Sequence, residues 1–181
     1  MRGVQRFSAE SGADVARAQE MPYQPKITIK KTERRLILST ADGTDRGYPV
    51  ALGKNWAADK AVEGDHATPL GEFYVCAKNP RSKFSLSLCI SYPNAEDAAR
   101  GLAAGLITAV EHAQIIEAIR LGKMPPQHTK LGGEICIHGR ASDHLAPAPK
   151  DWTRGCIALD NTDMQEVYDA AAIGMPVVIV E

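Results

Sequence analysis

Cys156 and His138 are the two side chains whose types and spacing could perform acyl transfer, a thiol lying eighteen positions after an imidazole. A free cysteine is only a few per cent thiolate at neutral pH, so a neighbouring imidazole is the usual way to activate it as a nucleophile. His138 closes the run Ile135-Cys136-Ile137-His138, whose alternation predicts a strand with the cysteine and histidine on the face opposite the isoleucines. Gly155 precedes Cys156 and permits a tight turn in which the amides of Gly155 and Cys156 converge on a developing oxyanion. The competing reading is packing, since buried cysteine mostly behaves as a small apolar side chain. A metal site on Cys136, His138 and Cys156 is a further alternative. No HExxH or paired CxxC supports it, so neither a metal nor an organic cofactor is expected.

Other residues near the pair are candidates for substrate contact. Arg154 offers a planar, two-pronged donor suited to a carboxylate. Thr153 is placed to orient the turn or to donate a hydrogen bond into the site, and Trp152 to pack or to recognise. His144, after Asp143 in the proline-containing loop between His138 and Cys156, is a candidate to face substrate.

The wording IHG at 137–139 followed by DWTRGCIAL at 151–159 resembles the signature of the YkuD-type L,D-transpeptidase catalytic domain. The stretch GDHATPLGEFYV resembles a second motif of that family, and FSLSLCISYPN resembles its YafK-like, murein-processing branch. The likeness covers about residues 26–181. It implies a mainly β sandwich or barrel, Cys156 as nucleophile, His138 as base, and the Gly139 carbonyl as the group that orients the imidazole. It also implies peptidoglycan stem peptides as substrate, a periplasmic or cell-envelope location, and no cofactor. The acceptor stays open: an amine makes a transpeptidase, water makes a peptidase or amidase, and the YafK-like branch adds a murein-linked lipoprotein as partner. A catalytically silent peptidoglycan-binding domain is a third reading. Many relatives carry histidine before Gly-Cys and Arg or Asn two places after it, where this chain has Arg154 and Ala158. The nucleophile and base therefore carry over, and those two substrate contacts do not.

The bulk properties are those of one catalytic domain's length of chain. Its 181 residues can bury a real core, and a net charge of −1 without a basic block excludes nucleic acid or an anionic membrane surface as the expected partner. No apolar run approaches the ~20 residues of a membrane span, and residues 1–21 lack the apolar stretch of a signal peptide, reading as a polar leader or what remains after a signal is removed. Cys76, Cys89, Cys136 and Cys156 lack the density of a disulfide scaffold. Cys76 and Cys89 could pair across a hairpin, but free thiols are the expectation, with Cys136 a core or wall residue.

The elements that must position the pair follow in order. Residues 1–25 read as a tail or short helix outside a domain spanning 26–181. KITIKK, RRLILST and Gly47 to Leu52 alternate apolar with polar residues and predict a three-stranded meander. Gly53 to Leu70 reads as a long surface loop containing His66, and Gly71–Ala77 with Phe84–Tyr92 as a hairpin turning at Asn79 to Ser82. Residues 94–122 change to a helical period, with a Thr108/Glu111 capping box and an apolar stripe of Val110, Ala113, Ile116 and Ile119. Thr162 and Gln165 predict the cap of a last helix ending at Gly174, before the closing strand Pro176 to Val180.

Overall fold

The computed structural model describes residues 23–141 and 150–181, which leaves His144 and most of the expected tail outside the described residues. Three strands open the chain as the expected meander: β1 (Lys26–Lys30), β2 (Arg35–Ser39) and β3 (Asp45–Pro49). Ile27 faces Leu38 and Ile29 faces Leu36, so one apolar face of the antiparallel pair is fully covered. After the two-residue strand β4 (Leu52–Gly53) come β5 (Gly71–Ser82) and β6 (Ser85–Ile90), then β7 (Cys136–His138), β8 (Asp151–Thr153), β9 (Ile157–Ala158) and β10 (Pro176–Val180).

The main sheet has eight strands in the order β3-β2-β1-β10-β5-β6-β7-β9, while β4 and β8 form a separate parallel pair. The last strand thus enters the middle, parallel to β1 and antiparallel to β5. Its run Pro-Val-Val-Ile-Val suits a strand paired on both sides. Ala51, just past β3 at one edge, bridges to Ala158 at the other edge. That bridge curls the sheet into a half-barrel around the core, which includes Leu88, Ile90, Ile137, Ile157 and Val177.

Three helices complete the described residues. α1 (Ala95–Ala103) and α2 (Ala109–Arg120) form the expected helical insertion, each with a reciprocal capping box, Asn94 with Asp97 and Thr108 with Glu111. They enclose a small core of Ala98, Ile107, Ile115 and Leu131. α3 (Asn161–Ala170) buries Met164 and Val167 in the main core. Among the described residues no helix is long and apolar enough to cross a membrane.

Four local expectations are corrected. β5 runs through Asn79 and Pro80 to Ser82, because a register irregularity between Asn79 and Ser82 accommodates a residue that has no N–H to give the ladder. α2 buries Ile115 and leaves Val110 exposed, since it docks through the side facing α1 rather than through the predicted stripe. α3 has Asp160 at its N-cap position with no side-chain cap hydrogen bond, and it ends at Ala170, before Gly174. The 53–70 loop is not a plain surface loop, for Lys60, Ala67 and Thr68 are buried.

Asp97 gives the fold a pH dependence. Burial pushes its carboxyl up to about 6, against the opposing effects of the Asn94 amide and the Arg100 guanidinium. The folded protein therefore holds this proton over a range where the unfolded chain, with the ordinary value of 3.8, has lost it. The contribution is complete below about pH 4 and is lost as pH rises through about 6, worth about 3 kcal/mol for a displacement of about two pH units. Urea unfolding at both ends of that window should show wild type losing about this much relative to Asp97→Asn. Parallel pH profiles for the two proteins would contradict it.

Candidate active site

The turn that carries Cys156 lies between β8, which ends at Thr153, and β9, which starts at Ile157. Thr153 is buried, and its hydroxyl closes the turn by donating to the Cys156 carbonyl at 2.6 Å and accepting from the Gly155 amide at 3.1 Å. Gly155 adopts φ +127°, and a β-carbon there would stand 2.7 Å from the Ala67 carbonyl oxygen. Only glycine meets both conditions.

The Ala67 carbonyl belongs to the 53–70 segment, which brackets the turn. The fully buried Lys31 ammonium donates to the carbonyls of Ala58 at 2.7 Å and Thr68 at 2.9 Å. The Thr68 hydroxyl accepts from the Gly53 amide, and the Lys54 amide donates to the Thr153 carbonyl. Within the bracket Asp65 pairs with Lys60 at 2.9 Å and accepts from the amides of Ala61, Val62 and Ala67.

β7 runs parallel to β9, with Ile137 beside Ile157 and His138 beside Ala158. The two isoleucines face the core. His138 points to the other face, and Cys156 directly precedes β9, two residues before the Ala158 that partners His138. The imidazole is buried, with Nδ1 2.6 Å from the Gly139 carbonyl. A carbonyl can only accept, so Nδ1 carries the proton and Nε2 presents the lone pair. Phe84 stacks on the ring at a centroid distance of 4.3 Å, and Trp152 meets it edge-on at 6.0 Å. The Asn161 side chain accepts from the Arg140 amide at 2.7 Å and anchors the chain just beyond Gly139.

Both members of the pair are held neutral. Burial pushes the His138 imidazole below its ordinary value; the Gly139 carbonyl opposes this, and Lys83 adds to it. Burial also pushes the Cys156 thiol up, against the Cys136 amide, while the Glu134 charge raises it further. Cys156 Sγ donates to the Glu134 carbonyl at 3.3 Å and accepts from the Cys136 amide at 3.4 Å. Among the described residues, no hydrogen bond joins the thiol to the imidazole.

The predicted residues are thus partly assembled. Cys156, His138 and Gly139 lie together. Gly155 does not offer its amide to an oxyanion, because Thr153 already takes it; the Cys156 amide has no acceptor among the described residues. Thr153 likewise serves the turn rather than a ligand. Trp152 lines a cavity of about 490 Å³ with Arg34, Arg140, Lys150 and Ala158, and its buried indole N–H has no partner among the described residues. Arg154 is exposed and forms no ion pair with a described residue.

Cys136 is not a free wall residue but is disulfide-bonded to Cys89. The Cys76–Cys89 alternative fails because a shift in β5 sets Ala77, not Cys76, opposite Cys89. The remaining free thiols are Cys76 and Cys156, and among the described residues no group of three suitable side chains could hold a metal ion. Sequence reasoning also missed Phe84, whose only signal was an aromatic residue opening the strand that pairs with β7.

Two measurements follow from this geometry. Thr153→Val keeps the shape but strands a buried amide and carbonyl, and should lower unfolding stability by about 1–3 kcal/mol in urea titration. An unchanged midpoint would mean the hydroxyl does not hold the turn. In the free protein, alkylation of Cys156 by iodoacetamide should rise only above the pH at which an ordinary cysteine ionises. A thiolate plateau reaching into mildly acidic solution would contradict the neutral pair.

Residues 24–179 match the YkuD family, described as the L,D-transpeptidase catalytic domain. No curated protein matches the chain. Among solved structures, the helical cell shape determining protein Pgp2 from Campylobacter jejuni is 24% identical with a TM-score of 0.59, covering 87% of this chain and 48% of its own. Bd1075 of Bdellovibrio bacteriovorus is 18% identical with a TM-score of 0.52, covering 90% of this chain and 50% of its own. An L,D-transpeptidase from Mycobacterium smegmatis is 14% identical with a TM-score of 0.51, covering 87% of this chain and 59% of its own. The chain spans roughly half to three fifths of the length of these proteins, and at such identities they share its fold. With the family match covering nearly the whole described domain, the chain belongs to the YkuD family of L,D-transpeptidase catalytic domains.

Proposed function

We propose that this domain performs cysteine-dependent acyl transfer on peptidoglycan stem peptides in the bacterial cell envelope. The observation that supports the reading is the pairing of β7 with β9, which brings the stretch carrying the imidazole, held at Nδ1 by Gly139, alongside the stretch that follows the glycine-turn thiol. Cys156 Sγ attacks a stem carbonyl. His138 Nε2 accepts the thiol proton and returns it to the leaving amine, and a thioester remains on the enzyme. An amine of a second stem, or water, then resolves the thioester. The Cys156 amide is the free donor for the oxyanion.

The thiol has to leave the Glu134 carbonyl to reach Nε2, so substrate binding completes the pair. Trp152 and Ala158, which neighbour His138, also line the cavity, although His138 and Cys156 themselves do not. Arg154, exposed at the mouth of the turn, is available to a stem carboxylate. Hydrolysis, including release of a murein-linked lipoprotein as in the YafK-like branch, uses the same residues with water as acceptor.

Incubation with tetrapeptide-bearing muropeptides, with and without an added amine, separates these outcomes by mass spectrometry. Crosslinked product supports transfer, trimmed product supports hydrolysis, and unchanged substrate under both conditions contradicts the proposal. Cys156→Ala should abolish turnover, and His138→Ala should lower it by roughly 10²- to 10⁴-fold. Appreciable turnover in Cys156→Ala would end the thiolate mechanism.

A further inference from the structure

The nucleophile has a second electrophile built beside it. β6 pairs with β7 so that Cys89 faces Cys136, and β7 pairs with β9 so that Ile137 faces Ile157. Cys156 directly precedes β9, where the Cys136 amide reaches its sulfur. The flanking Leu88, Ile90 and Ile137 are all buried in the core, which leaves Cys89 and Cys136 together on the opposite face. Cys156, Cys136 and Cys89 thus sit on three neighbouring stretches of chain, in that order across the sheet. Cys136 is the middle member, disulfide-bonded to Cys89, and its amide donates to Cys156 Sγ at 3.4 Å.

Thiol–disulfide exchange proceeds by attack of a thiolate on one sulfur of a disulfide while the other departs. A row Cys156, Cys136, Cys89 presents the nucleophile, the attacked sulfur and the leaving sulfur in that order. Cys76, the other free thiol, cannot substitute: it sits at the irregularity in β5 and donates to the Cys89 carbonyl, and burial pushes it up to about 11.

We propose that Cys136 is a shared sulfur that switches the site between two disulfide isomers. With Cys136 bonded to Cys89, the thiol of Cys156 is free to react. In the other isomer the Cys156 thiolate has attacked Cys136 Sγ. The Cys136–Cys156 bond forms, the Cys89–Cys136 bond breaks, and the electron pair leaves on Cys89, which takes up a proton from solvent. One disulfide is exchanged for another with no net oxidation, and the nucleophile is blocked. Cys89 is then a guard, keeping Cys136 from capturing Cys156. Reduction of the Cys136–Cys156 isomer by an external dithiol, which is oxidised to its own disulfide, frees the nucleophile. This chemistry involves no peptidoglycan and is read without substrate, so its failure is distinct from failure of the proposed transfer reaction.

Two thiol maps test it. Oxidised wild type is held at about pH 7 and about pH 9, quenched in acid, labelled with N-ethylmaleimide and digested without reduction. At the higher pH a fraction should carry the label on Cys89 and a Cys136–Cys156 crosslink, and that fraction should fall on return to the lower pH. Label on Cys156 in every molecule, and never on Cys89, would overturn the exchange. In Cys89→Ser, checked as folded by its thermal transition, oxidised glutathione should drive a Cys136–Cys156 bond and release reduced glutathione. Alkylation of Cys156 should then fall by about tenfold and return with dithiothreitol, while wild type at about pH 7 keeps its reactivity. A glutathione adduct on folded Cys89→Ser with no internal crosslink would also overturn the proposal.

Discussion

The parallel pairing of β7 with β9 is the constraint on which the site depends. Each strand contributes only a few residues, yet their register decides which side chains share a face: His138 beside Ala158 and Ile137 beside Ile157, with the Cys136 amide reaching Cys156 just before β9. A slip of one residue would turn the imidazole or the thiol into the core. Two short strands do not hold such a register alone. It is fixed from outside, by β6 along the free side of β7 and by the Ala51–Ala158 bridge and the Thr153 hydroxyl at the end of β9. The 53–70 bracket completes this by setting the Ala67 carbonyl where any residue but glycine would place a β-carbon. The buried Lys31 serves the same end from the far side, tying that bracket to the meander through two carbonyls.

Desolvation gives the resting site its chemical character. The half-buried thiol and the buried imidazole both favour their uncharged forms, and the thiol rests on the Glu134 carbonyl rather than on the imidazole. A neutral pair of this kind is quiet towards adventitious electrophiles. In the proposed reaction the thiol turns towards Nε2, whose lone pair is already set by the Gly139 carbonyl. Phe84 and Trp152 confine the ring in the meantime, so little imidazole motion accompanies that step.

Local pattern made much of this legible. Strict alternation in KITIKK and RRLILST marked the meander, the Thr108/Glu111 box marked α2, and a glycine before Cys156 marked the turn. What escaped depends on partners distant in the chain. The Cys89–Cys136 bond needs β6 beside β7, two strands separated by the whole helical insertion, so no local spacing announces it. The buried face of α2 depends on where α1 lies, which put Ile115 rather than Val110 in the small core. The loss of Gly155 as an oxyanion donor is subtler. Thr153 was visible as a turn residue, but one hydroxyl can serve two backbone groups only when the fold brings both within reach.

The central claim is that this register makes Cys156 the atom that carries the acyl group. Rapid acid quench during reaction with a tetrapeptide-bearing muropeptide, followed by peptide mapping under mildly acidic conditions, tests it most directly. The account predicts a hydroxylamine-sensitive acyl adduct on the peptide containing Cys156, absent from Cys156→Ala. Product formation with the acyl group on Cys76, or with no adduct in a quench fast enough to precede turnover, would contradict it.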